Sequence, residues 1–291
     1  MYVKQNNSPC RLCGSFNFEF CFECREWKLF RCLFCGYVQI ANKPTPEILN
    51  EIYDTCYFAS DKYKDTNILE KENKRRLQIL KHFLPSSDIL VLDAGCATGD
   101  FLHHAKSSYN MHGCDISAFA VALAIKKNPD LSDNIFITDL DSCAPQSYQY
   151  DAICLWDVIE HLWDPVAVCN AFAAMLKPGG FIFVSTPDIG SITARIMGKH
   201  WAFMTPPEHM GFFSNSSFTH LFGKELPFKI LHRQVAGKWT NLGFLVYKFK
   251  RIFPSLVPEA LSNALGKSVL KKLPIYVPTH DIQYIVARKV E

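Results

Sequence analysis

Two C-x2-C pairs, Cys10–Cys13 and Cys32–Cys35, each followed by a glycine (Gly14 and Gly36), carry the first chemistry legible in the chain. Tetrahedral zinc takes four thiolates, and one tight C-x2-C turn delivers two of them. Twelve cysteines occur in 291 residues, and half of them fall between Cys10 and Cys35. The opening stretch Met1–Asn7 lacks the apolar core of a secretory signal, so this crowding reads as metal binding before disulfides. Zn2+ is therefore expected at Cys10, Cys13, Cys32 and Cys35. The middle pair, Cys21-x2-Cys24, has no following glycine and is expected on the intervening hairpin. So small a module has little core of its own, and the metal would contribute much of its folding energy.

A second set lies in Leu90-Val91-Leu92-Asp93-Ala94-Gly95-Cys96-Ala97-Thr98-Gly99-Asp100-Phe101-Leu102. A buried strand runs into a tight turn at Gly95, and a helix starts near Gly99, where backbone N–H groups are unpaired. A dinucleotide site would carry a third glycine, as G-x-G-x-x-G, and it is missing. With Asp93 and Asp100 adding negative charge, the loop suits a ligand bearing an ammonium and a sulfonium better than a diphosphate. Twenty residues past Gly95, Asp115 ends the next strand and can accept both hydroxyls of an unphosphorylated ribose. Thr138-Asp139-Leu140 supplies an acceptor for an adenine amino group.

Trp201–Phe213 combines aromatic residues, a rigid Pro206-Pro207 and an adjacent Glu208-His209, which reads as an active-site lid. His209 is the candidate general base, with Glu208 orienting it or binding substrate. The plainer alternative is that both residues only hold the loop against the domain.

The elements that must position these groups follow from periodicity. Residues 1–40 form the zinc module, 41–85 a helical connector, and 86–291 a larger domain with an insertion at about 238–276. Pro44-Thr45-Pro46 breaks the chain before a helix through Ile48, Leu49, Ile52 and Tyr53. A second helix over 66–84 has Leu69, Leu77, Leu80 and Leu84 on one face and charges, including Arg75 and Arg76, on a face read as solvated. Strands are expected at 89–92, 111–115, 135–138, 152–156, 181–185, 228–235 and 282–288. Helices are expected near 99–107, 117–126 and 165–176, the last opening on Asp164-Pro165 and stopping at Lys177-Pro178-Gly179-Gly180. Such alternation implies a mostly parallel sheet with helices on both faces.

The ordered set Asp93-Ala94-Gly95-Cys96-Ala97-Thr98-Gly99, Asp115, Asp139, Asp157-Val158-Ile159-Glu160-His161 and Leu176-Lys177-Pro178-Gly179-Gly180 resembles the class I S-adenosylmethionine-dependent methyltransferases. The likeness spans about residues 85–235, with Ala97 standing where many members have glycine. It implies a Rossmann-like, seven-stranded α/β sheet whose last strand is antiparallel, a role suited to 282–288. It also implies S-adenosylmethionine bound by Asp93, Gly95, Cys96, Ala97, Gly99, Asp115, Ile116, Asp139, Leu140 and Trp156. The cysteine ribbon with Pro44-Thr45-Pro46, Ile52-Tyr53 and Tyr57-Phe58 is similar to a subgroup that includes C-methyltransferases of nucleotide-linked keto sugars. Asp157, Glu160, His161 and His209 resemble the metal set of methyltransferases acting on small-RNA 3′ ends and quinone catechols, which usually have glutamate where Asp157 stands.

Bulk properties narrow the partners. Charged residues make up 20%, and net charge is only +3, which gives no electrostatic case for nucleic acid. No apolar run is long enough to span a membrane. The expectation is a cytoplasmic enzyme methylating a small molecule such as a sugar, polyketide or phenol. An RNA or protein acceptor docked by the ribbon, and a non-catalytic cofactor-binding regulator, are the alternatives. Acceptor atom and oligomeric state are not legible.

Overall fold

The computed structural model describes residues 8–52, 66–142, 149–243, 245–246 and 268–290. The N-terminal module consists of β1 (Phe18–Cys24), β2 (Trp27–Cys32) and β3 (Val38–Ile40). Two short-range devices shape it: a tight β1–β2 turn with Arg25 and Glu26 at positive φ, and knuckle turns in which Gly14 N–H donates to Cys10 O and Gly36 N–H to Cys32 O. Helices α1 (Pro46–Ile52) and α2 (Thr66–Phe83) follow. The connector residues Tyr53, Tyr57 and Phe58 lie outside the described residues.

The larger domain then alternates β4 (Leu90–Ala94), α3 (Asp100–Ala105), β5 (Asn110–Asp115), α4 (Ala118–Lys127), β6 (Ile135–Ile137), β7 (Tyr150–Trp156), α5 (Pro165–Met175) and β8 (Leu176–Pro187). It continues through α6 (Ile192–Met197), β9 (Gly211–Phe212), α7 (Asn215–His220), β10 (Phe228–Asn241) and β11 (Pro274–Lys289). Local signals explain the helix starts: Ser117 accepts from Ala120 N–H, and Asp164 accepts from Ala167 N–H with Pro165 next to it.

Seven strands form one sheet in the order β10-β11-β8-β7-β4-β5-β6. The ladders joining β8, β7, β4, β5 and β6 are parallel, whereas β11 runs antiparallel to both β8 and β10. Both faces are covered. Leu80, Leu102 and Val121 belong to one core, and Val168, Phe172, Phe218 and Phe222 to the other. Crossover helices on both faces bury the central strands twice, which is why Ile153, Cys154 and Leu155 read as a continuous apolar run.

Three boundaries differ from expectation. Helix α5 ends at Met175, close to the expected stop, but β8 begins at once at Leu176, which pairs with Tyr150, rather than at 181. The β10–β11 ladder runs out to Asn241↔Pro274, so 238–241 and 274–276 are strand rather than insertion. Register shifts at Ile230/His232 and Ala236/Lys238 break the alternation that would have revealed the extra length. Of the expected insertion beyond Asn241, only 242, 243, 245, 246 and the residues from 268 onward are described. The ribbon's sheet also extends beyond residue 40: β9 pairs with β3, giving a four-stranded sheet β1-β2-β3-β9 shared by both parts of the chain.

Candidate active site

The carboxyl ends of β4, β5 and β7 open into a cavity of about 370 Å3. In open α/β sheets ligands bind at this point, where chain connections leave the central strand in opposite directions. Gly95 makes the approach possible. It sits at φ +78°, and a Cβ there would lie 2.5 Å from Val158 Cγ2. Ala97 holds φ +46° without being glycine, and its N–H donates to Asp115 Oδ2 at 2.9 Å. Ser117 N–H donates to the other oxygen of Asp115, also at 2.9 Å. These bonds fix the Asp115 carboxylate and leave lone pairs for a ligand's hydroxyls.

Asp93, Cys96, Ala97, Asp115, Ile116, Asp139, Leu140 and Trp156 all line the cavity with Gly95. Gly99 does not. At φ +73°, its missing Cβ lets the start of α3 lie against Asn128 and Ala124 of the α4 end, so its part is one of packing. Burial pushes Asp93 up to about 7; nearby Arg76 opposes the rise and Asp115 adds to it. Asp115 is raised by burial too, against the pull of the N–H groups of Ser117, Ala97 and Ile116.

The charged stripe of α2 contributes residues that periodicity assigned to solvent. Asn73 and Arg76 line the cavity. Arg76 Nη2 lies 2.5 Å from Asp157 Oδ2, and Ser185 Oγ donates to Asp157 Oδ1 at 2.9 Å. Asn73 Nδ2, Arg76 Nε and Trp156 Nε1 are buried with no hydrogen-bond partner among the described residues. Three unspent donors at one end call for an acceptor-rich ligand group. The only sequence hint was the run Asn73-Lys74-Arg75-Arg76. At the opposite end Asp139 accepts from Asp141 N–H and Ser142 Oγ, and Asp141 accepts from the N–H groups of Trp163 and Asp164.

The remaining wall is formed by Lys43, Leu49, Leu69, His161, Leu162 and Met210. His209 was expected to face the acceptor; it lies instead behind His161, 6% exposed and off the cavity wall. The two rings meet edge to face with centroids 4.8 Å apart. His209 Nδ1 pairs with Phe203 O, and His161 Nδ1 with Glu208 O, each at 2.8 Å. Glu208 thus orients a histidine through its backbone carbonyl, and the histidine is His161. Glu160, 2% exposed, accepts from Thr186 Oγ1 at 2.8 Å. Glu160, His161 and His209 each bring one ligating atom within 4.8 Å of the others, while Asp157 is held by Arg76 and Ser185.

The four ribbon thiols also converge. Cys10–Cys35 and Cys13–Cys32 Sγ separations are 3.6 Å, and all four sulfurs lie within 4.8 Å of one another. A tetrahedron with Zn–S bonds of about 2.3 Å requires sulfurs about 3.8 Å apart. The hydrogen bond to the Cys35 thiol lowers the Cys10 pKa against the opposing effect of burial. Cys21 and Cys24 sit on the β1–β2 hairpin, outside the cluster.

Among the described residues no helix is long and apolar enough to cross a membrane. Residues 69–233 match a family model described as a methyltransferase domain. The ubiquinone biosynthesis O-methyltransferase of Hydrogenovibrio crunogenus is 27% identical over 145 residues, covering 48% of this chain and 60% of that protein. The enzyme of the same name from Xylella fastidiosa is 33% identical over 119 residues, 39% of this chain and 48% of the other. The chain thus spans about half the length of the curated relatives it matches. Among solved structures, magnesium protoporphyrin IX methyltransferase from Synechocystis PCC 6803 with bound S-adenosylhomocysteine superposes with TM-score 0.55 at 14% identity, covering 84% of this chain and 100% of that one. The N-methyltransferase NodS of Bradyrhizobium japonicum, also with S-adenosylhomocysteine, gives 0.50 at 17% identity, covering 84% and 97%. At these identities the structures report a shared fold.

Proposed function

Because the chain belongs to the methyltransferase-domain family, in its class I S-adenosylmethionine-dependent group, we propose that it transfers a methyl group to a small-molecule acceptor. The observation that carries this reading is the gradation of chemistry along one cavity. Spare donors of Asn73, Arg76 and Trp156 stand near the Asp93 carboxylate, Asp115 lies between, and Asp139 with Leu140 is at the far end. These suit, in order, the carboxylate, ammonium, ribose and adenine of one ligand. S-adenosylmethionine supplies an electrophilic methyl on a sulfonium; the chain has to align the acceptor, exclude water and remove a proton. Leu49, Leu69, Leu162 and Met210 make a dry wall for the acceptor. With the proton on Nδ1 held by the Glu208 carbonyl, the basic lone pair of His161 is on Nε2, suited to take a hydroxyl proton. The base role moves from His209 to His161, with His209 packed behind it. The names of the relatives favour oxygen as the methylated atom.

Zn2+ at Cys10, Cys13, Cys32 and Cys35 completes the reading; the sulfur separations and the knuckle turns support it. A second reading adds a divalent cation at Glu160, His161 and His209. Histidines that bind a metal through one ring nitrogen usually give the other N–H to a carbonyl, as both do here. Metal analysis separates the two: about one zinc per chain leaves His161 as a base, whereas a second equivalent lost on His209→Ala assigns the cation.

Titration calorimetry with S-adenosylhomocysteine, S-adenosylmethionine and NAD tests the cofactor. The first two should bind and NAD should not. A labelled-methyl screen over cell extract fractions then tests the acceptor. Label entering RNA or protein, with none in small molecules, would overturn the acceptor class.

A further inference from the structure

The first knuckle reaches across into the cavity wall. Arg11 lies between the cluster residues Cys10 and Cys13, and its side chain reaches into the larger domain. Nη2 donates to Met210 O at 2.6 Å, and Nη1 to Trp163 O at 3.3 Å. The guanidinium carbon stands 3.9 Å above the Trp163 ring centroid. Its own backbone is pinned, since Arg11 N–H donates to Gln39 Oε1 at 3.0 Å and Gln39 Nε2 donates to Pro9 O at 3.2 Å.

The two carbonyls that Arg11 holds belong to the two segments that build the acceptor wall. Met210 N–H donates to Glu160 O at 2.8 Å, and Met210 O also accepts from Ile40 N–H. One residue before Trp163 is Leu162, and one before that His161; both line the cavity with Met210. His161 is oriented by Glu208 O, two residues before Met210. Tyr37 closes the arrangement: a Cβ at Gly211 would fall 1.7 Å from its hydroxyl, so β9 lies directly on the ribbon. Arg11 has no carboxylate within salt-bridge distance among the described residues; Asp141, Asp164 and the cluster's Cys10 act on it from farther away. A guanidinium set on carbonyls and an aromatic face needs a counter-charge close by. Four thiolates around one divalent cation carry two net negative charges, and two of those ligands flank Arg11 in sequence.

We infer that Arg11 is a positioning residue through which the four-cysteine cluster sets the His161–Met210 wall of the cavity, so that metal loading of the ribbon orders the acceptor side while the Gly95–Asp115 side stands without it. The inference rests on the methyltransferase reading for what that wall does, but its test does not. Full-length protein is compared with Arg11→Ala, Arg11→Lys and Cys32→Ser by zinc content, amide hydrogen exchange and calorimetry with S-adenosylhomocysteine.

In Arg11→Ala, exchange should rise about tenfold or more in segments 160–163 and 208–212, with segment 92–102 unchanged and zinc retained. Arg11→Lys can still reach one carbonyl and should restore part of the protection. Cys32→Ser should release the metal and loosen the same two segments, with segment 92–102 unchanged. Unchanged exchange in Arg11→Ala would overturn the inference, as would loosening spread equally to 92–102. If Arg11→Ala cannot be purified folded, Arg11→Lys decides by the same two segments. Protection of 160–163 and 208–212 persisting in zinc-free Cys32→Ser would also overturn it. Failure of the unaltered protein to bind S-adenosylhomocysteine would instead remove the methyltransferase reading and leave the exchange result standing.

Discussion

Asp93 offers a prediction in which stability and ligand binding move in opposite directions. Its carboxyl is 2% exposed and pushed from 3.8 to about 7, chiefly by burial. Between those values the unfolded chain has released the proton and the folded chain keeps it, so stability falls as pH rises from about 4 to about 7. At about 1.4 kcal/mol per pH unit, the accumulated cost above pH 7 is roughly 4 kcal/mol. Asp93→Asn cannot ionise and removes that cost, less what the buried amide itself loses. The variant's stability relative to the unaltered protein should grow by about 2 kcal/mol between pH 5.5 and pH 8. Urea unfolding followed by circular dichroism across this range supplies the measurement. Taking the difference between the two proteins at each pH cancels the titration of the cysteine cluster, which is remote from the substitution. On the proposed reading the same carboxylate meets the ligand's ammonium. S-adenosylhomocysteine affinity of the unaltered protein should therefore rise between pH 6 and pH 8, and Asp93→Asn should bind at least about tenfold more weakly with a flatter profile. A difference that does not vary with pH would refute the argument that burial holds this carboxyl protonated.

Three further outcomes are expected. Gly95→Ala places a methyl group 2.5 Å from Val158 Cγ2 at φ +78°, and should cost about 1–3 kcal/mol and abolish S-adenosylhomocysteine binding; adding Val158→Ala should recover part of the stability, as thermal unfolding would show. Ala97→Gly relieves a left-handed alanine at φ +46° and should raise stability by up to about 1 kcal/mol in the same assay, since the strain removed exceeds the extra freedom of the unfolded chain. Arg76→Ala removes the ion pair to the part-exposed Asp157 and should destabilise by about 1 kcal/mol while weakening S-adenosylhomocysteine binding measurably by calorimetry.

Sequence alone determined those parts of the protein whose physics is local or periodic. The strand–turn–helix at Leu90–Phe101 was legible because a buried strand, a left-handed turn and a helix start leave their marks within about a dozen residues. The knuckle turns and the meeting of their four thiols were legible because two C-x2-C-G spacings each close one tight turn. The order of strands and helices further yielded the mostly parallel sheet, since parallel strands require crossovers.

What only the tertiary structure decided is which side chains meet across elements distant in the chain. Arg76 looked solvated because helical periodicity separates two faces without saying what covers them; the packing of α2 against α3 and β10 turns one charged edge of that helix onto Asp157. The exchange of His209 for His161 is similar. Both adjoin a glutamate in sequence, and only the return of the 203–210 segment onto 160–163 puts His209 behind and His161 in front. The same return supplies β9 to the ribbon's sheet and Met210 O to Arg11. Such contacts join positions about 200 residues apart, and nothing in local propensity or spacing encodes them; they are set by shape and burial once the sheet has formed.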